Sequence, residues 1–370
     1  MKMNAAILWD VNQEWSVEEV ELDGPQDGEV LVSFEATGLC HSDHHVRTGD
    51  FPAPLPIIGG HEGAGIVQEV GPGVGGLKVG DHVVASFLPA CGRCRWCSTG
   101  HQNLCDQGAM IMAGTQLDGT YRRRAQGRDI GAASLLGAFA QYGTVPETSV
   151  VKVDDGVPLS RACLLGCGVT TGWGSAVNTA QVSPGDTVVV IGFGGIGSGA
   201  VQGARLAGAE IVVVVEIAES KRDKAFQFGA THFAASMPEA TALVAELTHG
   251  VMSDSALLTV GVTEGPMIGE ALDIVRKGGA VVLTALASMT DVTPTLPMAM
   301  FTLFQKRLLG SLYGEANPRA DIPRLLNLYR DGKLLLDETV TTEYKLNDIN
   351  EGYDDMLAGR NIRGVIVHDH

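Results

Sequence analysis

DTVVVIGFGGIGSGAVQGARLAGAEIVVVVEI, residues 186–217, decides the fold. The apolar run 187–191 shows no polar alternation, which predicts a strand buried on both faces of a parallel sheet. Gly192-x-Gly194-x-x-Gly197 follows at once, with Gly195 and Ile196 inside the turn, and a helix is predicted over 195–207. A second apolar strand over 211–215 closes a βαβ unit. Glycines in this pattern permit a tight turn, let backbone approach a pyrophosphate, and allow close helix–strand packing. The helix N-terminus offers N–H donors to the anion. Glu216 ends the second strand, 19 residues past Gly197. A carboxylate there accepts hydrogen bonds from ribose hydroxyls and repels a 2′-phosphate, so NAD(H) is favoured over NADP(H). Lys221 and Arg222 lie near enough to leave some tolerance of that phosphate open.

Strand–helix alternation continues on both sides of this unit, with strands predicted at 255–259 and 280–285, so residues 170–313 read as a doubly wound parallel sheet. Before them, short β-like runs at 29–35, 65–70, 82–86 and 149–153 alternate with Gly/Pro turns. The tail from residue 314 alternates again and ends in a strand-like 364–368. The expected architecture is thus α/β, with a β-rich domain formed by 1–169 and 314–370 around a coenzyme domain at 170–313. The active site is expected in the cleft between them.

Composition removes other classes. The 370 residues carry 26 Lys+Arg against 43 Asp+Glu, a net charge of −17. Such a field repels phosphate backbones, which excludes nucleic acid and anionic membrane as partners. With 45% apolar and 19% charged residues the chain is globular, and its 48 glycines, about twice the usual ~7% share, suggest many tight turns. The N-terminus has no apolar signal core, because Asp10 and Glu14 interrupt it. The uncharged run 187–204 contains six glycines and reads as strand–turn–helix, not as a membrane span. A cytoplasmic protein is expected.

Seven cysteines are then best read as metal ligands before disulfides. Cys91, Cys94, Cys97 and Cys105 form C-x2-C-x2-C-x7-C, a spacing that lets four thiolates converge on one tetrahedral Zn²⁺. With every position filled by protein, that zinc is structural. A nucleic-acid zinc module would need a basic face, and only Arg93 and Arg95 supply charge here. Cys40 in GLCHSDHH, His61 in GGHEGAGIV and Cys167 in LLGCGVTTGW are each ambiguous alone, since a lone cysteine is commonly a small core side chain. Together, beside Asp43 and Glu62, they make a Cys2His set with one coordination position open, as in catalytic zinc sites. Cys163 reads as an inert core thiol.

GLCHSDHH, GGHEGAGIV, the four-cysteine lobe, GCGVTTGWGSAV, GFGGIG and EGYDDMLAGRNIRGVIV together resemble the zinc-dependent medium-chain alcohol dehydrogenases over essentially the whole chain. The resemblance implies a GroES-like catalytic domain and a Rossmann coenzyme domain. It also implies two zinc ions and NAD(H), acting on a small-molecule alcohol or aldehyde. It makes Cys40, His61 and Cys167 ligands of the catalytic zinc and Glu62 the acid beside it. Asp43 orients the ligating histidine, Ser42 receives the substrate proton and His45 passes it on. Thr171 and Ile196 would contact the nicotinamide, His41 and Arg363 the pyrophosphate, and Glu216 the ribose. Read without the resemblance, Ser42 caps a turn and His45 is a solvated surface residue.

Within that family the segment after Cys105 is similar to long-loop branches that form homodimers or homotetramers. LPIIGGHEGAGIV, CGRCRWC and LDGTYRRR look most like the nitrosoaniline-dependent nicotinoprotein branch, in which NAD stays bound. A thiol-adduct formaldehyde dehydrogenase is the alternative, disfavoured by Ala109 where that branch carries arginine. A non-catalytic NAD-binding redox sensor is a third reading, and it would need a broken catalytic set. Phe51, Phe87 and Met110, with Leu135 and Leu136, are expected to line an apolar pocket suited to medium-chain or aromatic primary alcohols, unless some of them are plain core.

Overall fold

Thr187–Ile191 is the central strand of a six-stranded sheet in the computed structural model, which describes residues 1–370. The strand order is His232–Ala234, Ile211–Val215, Thr187–Ile191, Ser253–Leu258, Val275–Leu283, Arg307–Gly310, and every neighbour pairs in parallel. In order of appearance along the chain this is 3-2-1-4-5-6, the doubly wound dinucleotide-binding topology. The helix Gly195–Ala207 follows the glycine turn, and Gly208 closes it in the left-handed conformation. Val189, Val213, Ala256 and Val281, from four adjacent strands, are fully buried in one core with Ala271 and Leu272 of the helix Gly265–Ile274. The strand predicted at 280–285 starts earlier, at Val275, because the helix Gly265–Ile274 runs directly into it.

The chain divides into two compact units, Met1–Cys167 with Asn317–His370, and Gly168–Ala316. The divisions fall two residues before and three after the boundaries expected from the sequence. The helix Gly168–Gly174 already belongs to the second unit, as does Gly314, whose carbonyl accepts from Asn178 Nδ2 at 2.9 Å.

In the first unit Lys2–Leu8, Ser16–Leu22, Arg123–Ala125, Arg128–Ala132 and Ile57–Ile58 close a small barrel. A seven-stranded sheet is built around Glu29–Gly38, which pairs with Gly63–Val70 on one side and with Arg363–Val367 near its end. Trp15, Phe139 and Tyr353 form an aromatic core against the barrel, with Trp15 edge-on to Phe139 at 5.4 Å. No helix is long and apolar enough to cross a membrane.

Candidate active site

Pairing of Glu29–Gly38 with Gly63–Val70 sets Thr37 opposite Gly63, so the residues just beyond these two ends, Cys40 and His61, are brought together. Gly38 N–H donates to the Glu62 carbonyl at 3.0 Å and fixes that register. Cys40 is the N-cap of the helix His41–Thr48, and its carbonyl accepts from the Tyr353 hydroxyl at 3.4 Å. Cys167 ends the turn Cys163–Gly166, which is held where the Gly166 carbonyl accepts from Phe87 N–H. The result is one buried cluster: the donor atoms of Cys40, His61, Glu62 and Cys167 all lie within 4.8 Å of one another.

The charges around this cluster suit a cation. Asp43 Oδ2 lies 3.0 Å from His61 Nδ1, and its Oδ1 accepts from Gly60 N–H at 2.9 Å. That leaves Nε2 as the donor nitrogen of His61. Burial opposes a charged His61, yet Asp43 and Cys40 push its pKa well above the usual imidazole value. A hydrogen bond from Cys167, helped by the charges of Arg363 and His61, holds Cys40 well below the ordinary thiol range. The same shared proton, with burial, pushes Cys167 well above it. Two thiol sulfurs, one imidazole and one carboxylate at this spacing fit a zinc ion, which would replace the shared proton. Arg363 is buried against the cluster and ion-pairs with Glu62. This pairing, across a large stretch of chain, was not legible in the sequence, where Arg363 is matched only to the pyrophosphate. Tyr353 was likewise missed, and no local pattern marks it.

The remaining expected residues fall in distinct places. Ser42 Oγ lies 3.7 Å from Cys40 Sγ. His45 is buried, not a solvated surface residue, and its Nδ1 lies 3.4 Å from Asp50 on the solvent-facing side. His41 is half-buried with its ring edge-on to His45 at 5.3 Å. Phe87 packs edge-on against His61 at 5.9 Å, and Phe51 and Met110 are half-buried. Leu135 and Leu136 are corrections: both are fully buried, and Leu136 packs with Val30, Phe34 and Val145 in a core cluster. Cys163 is fully buried and donates to the Ser160 carbonyl, and burial pushes its thiol pKa up.

Cys91, Cys94, Cys97 and Cys105 form a second cluster with all four sulfurs within 4.8 Å of one another. Backbone N–H groups of Cys91, Cys94 and Cys97 point at the sulfurs of Cys105, Cys91 and Cys94 at 3.4 to 3.5 Å. The N–H groups of Cys97 and Asp106 draw the Cys94 pKa down to about 6, whereas burial pushes Cys97 up to about 12. Four convergent sulfurs fit a closed tetrahedral zinc site.

The glycine turn separates fold from ligand. Gly192 has φ +95°, and a Cβ on Gly197 would lie 2.1 Å from the Gly192 carbonyl oxygen, so both positions exclude side chains for the fold's own sake. A Cβ on Gly194 would meet nothing within 4 Å. The fold itself thus leaves room for a side chain at Gly194, where close backbone approach by a pyrophosphate would not. Glu216 reaches back to this turn, its Oε2 accepting from Phe193 N–H at 2.9 Å and its Oε1 from Ala218 N–H at 3.0 Å. Lys221 Nζ stands 3.7 Å from Glu216, whereas Arg222 is turned onto Glu219 and the ring of Phe233. Ile196 is half-buried in the first helical turn, and Thr171 is buried on the helix Gly168–Gly174.

Comparison with known proteins matches this arrangement. Residues 26–155 fit the alcohol dehydrogenase GroES-like domain and residues 195–331 the zinc-binding dehydrogenase domain. The chain is 52% identical over 368 residues to alcohol dehydrogenase B of Mycobacterium tuberculosis, spanning 99% of this chain and 98% of that one. It is equally similar, 52% over 368 residues, to the NDMA-dependent alcohol dehydrogenase of Amycolatopsis methanolica, spanning 100% and 99%. Among solved structures, benzyl alcohol dehydrogenase from Acinetobacter calcoaceticus is similar with a TM-score of 0.92 and 31% identity over the full length of both chains. Likeness of this extent, on a chain that gathers both sulfur clusters, makes it a member of the zinc-dependent medium-chain alcohol dehydrogenases and thus an oxidoreductase of alcohols.

Proposed function

We propose that this enzyme interconverts primary alcohols, medium-chain or aromatic, with their aldehydes by hydride exchange with NAD, and that it holds the coenzyme between turnovers. The observation that carries the reading is the convergence of Cys40, His61 and Cys167 with Glu62 on one buried point. When bound, zinc on these ligands supplies a Lewis acid that lowers the alcohol's pKa, and NAD supplies the hydride acceptor. Ser42, beside Cys40, takes the hydroxyl proton. His45, buried on one side and facing Asp50 on the other, moves it outward. Asp43 keeps His61 in the ligating tautomer. Glu62 would be available to zinc as a fourth donor beside Cys40, His61 and Cys167, and Arg363 holds its carboxylate in a buried ion pair.

On the coenzyme side, Gly192, Gly194, Gly195 and Gly197 cradle the pyrophosphate, with His41 and Arg363 as its side-chain contacts. Glu216 and Lys221 take the ribose, and Thr171 and Ile196 back the nicotinamide. Zinc at Cys91, Cys94, Cys97 and Cys105 is structural. Phe51, Phe87 and Met110 favour apolar alcohols, a preference supported by likeness to a benzyl alcohol dehydrogenase. Retention of NAD is supported by likeness to an NDMA-dependent enzyme. A cytoplasmic homodimer or homotetramer accords with cysteines that form no disulfide and with the long segment after Cys105.

The test is to denature the purified protein, assay released NAD(H), and measure turnover on benzyl alcohol, butanol, glycerol and hydroxymethyl-glutathione. Released coenzyme with turnover of the two apolar alcohols supports the proposal. Preference for the thiol adduct would assign the alternative, formaldehyde-oxidising reading.

A further inference from the structure

Four buried hydroxyls meet in the second unit. Ser175 and Thr179 lie on the π-helical turn Ser175–Thr179, Thr284 follows the strand Val275–Leu283, and Ser311 follows Arg307–Gly310. Thr284 and Ser311 therefore stand at the C-terminal ends of adjacent parallel strands, the edge at which open α/β sheets bind ligands. Single π-helical turns are themselves frequent at functional sites. Ser175 Oγ donates to the Thr171 carbonyl at 2.7 Å and lies 3.0 Å from Thr284 Oγ1 and 3.1 Å from Ser311 Oγ. Ser311 Oγ lies 2.8 Å from Thr179 Oγ1.

Hydrogen counting orients this network. A hydroxyl has one proton, and that of Ser175 is committed to Thr171, so Thr284 and Ser311 both donate to Ser175. The proton of Ser311 is then spent, and Thr179 donates to Ser311. All four dipoles run toward one acceptor, the carbonyl of Thr171. A satisfied buried network of this kind fixes one arrangement of the segments it joins. Burying four hydroxyls carries a desolvation cost that apolar side chains would avoid.

We propose that this hydroxyl chain positions Thr171 and the two strand ends for the nicotinamide end of the coenzyme, and that its rigidity slows coenzyme release. The proposal rests on the reading of Thr171 and NAD given above. A site ordered in advance loses less freedom on binding, and such gains fall mostly on the dissociation rate.

The experiment uses the full-length, zinc-loaded enzyme and the variants Thr284→Val and Thr284→Ser, with Ser311→Ala in place of the valine variant if that one does not fold. NAD(H) content after denaturation, NADH dissociation followed by fluorescence, and the thermal midpoint are read together. Thr284→Val is expected to release NADH about five- to tenfold faster and to purify with less coenzyme, whereas Thr284→Ser stays within about twofold of the parent. Equal release from parent and Thr284→Val overturns the proposal. Equal acceleration in Thr284→Ser also overturns it, because packing would then be the cause. A parent that binds no NAD(H) at all overturns the underlying coenzyme reading, a failure that the parent measurement alone identifies.

Discussion

Glu62 and Arg363 form an ion pair with almost no solvent contact, their side chains 0% and 7% exposed, beside Cys40 and Cys167. Burial opposes the guanidinium charge, but Glu62 and Cys40 raise the Arg363 pKa above its ordinary value, so the arginine is charged at any pH the fold survives. Arg363 begins the strand Arg363–Val367, which is fastened to Glu29–Gly38 two residues from Cys40. The pair is thus set by the same sheet that brings the ligands together.

Removing one member strands the other. Arg363→Ala is expected to lower stability by about 3–5 kcal/mol, as for other buried pairs broken from one side. Arg363→Ala with Glu62→Gln should recover part of that loss, because no buried charge is left unpaired. Urea denaturation of the four proteins of this cycle gives the coupling, and additive losses would show that the two side chains do not interact.

The glycine turn yields a contrast between two alanine variants. Gly197→Ala places a Cβ 2.1 Å from the Gly192 carbonyl and should destabilise the coenzyme unit and empty it of NAD(H) together. Gly194 has φ −108°, which alanine adopts, and open space around its Cβ position. Gly194→Ala is therefore expected to lose coenzyme while matching the thermal midpoint of the coenzyme-free parent. A Gly194→Ala protein with unchanged NAD(H) content would mean that no ligand approaches there.

How far the sequence was legible follows from the range of the interactions. Thr187–Ile191, Gly195–Ala207 and Ile211–Val215 are local patterns of apolar run, glycine turn and helix cap, and they are seen where the spacing puts them. Ser16–Leu22, SVEEVEL, has three glutamates and is a strand only because the barrel supplies its partner Lys2–Leu8. Leu136 was indistinguishable from a pocket residue, since a core side chain and an apolar pocket wall share one chemistry. The Glu62–Arg363 pair and the hydroxyls around Ser175 are tertiary contacts between residues with no common motif, and only the folded chain discloses them.

His368 gives a pH dependence. It is buried, its Nε2 lies 3.3 Å from Thr37 Oγ1, and the Thr37 hydroxyl donates onward to the Ala138 carbonyl at 2.8 Å. Burial, with His370 adding like charge and Asp369 opposing it, presses the His368 pKa down to about 3. The unfolded chain, with an ordinary imidazole near 6.5, binds a proton that the folded chain refuses between these values. Stability from His368 is therefore complete above pH 6.5 and falls as pH drops toward 3, by about 2 kcal/mol from pH 6.5 to 5. Comparing unfolding free energies of the parent and His368→Gln at pH 7.5 and 5 isolates this slope, and parallel losses in both proteins would remove His368 as its source.

The two sulfur clusters should separate stability from chemistry. In the lobe, Cys97 is pushed up to about 12 while Cys94 sits near 6, so without metal the buried thiol keeps its proton at neutral pH. Zinc must displace that proton, which makes lobe occupancy rise with pH and makes the metal part of the folding free energy. Cys97→Ser should leave one zinc per chain and lower the thermal midpoint by about 5–10 °C, the shift a few kcal/mol gives in a unit of this size. Residual alcohol oxidation should persist at low temperature. Cys40→Ala should also leave one zinc, yet keep the midpoint near the parent's and abolish turnover. Metal analysis, calorimetry and alcohol oxidation on both variants check the assignment. If Cys40→Ala oxidises alcohol normally while Cys97→Ser does not, the catalytic and structural roles of the two clusters are exchanged.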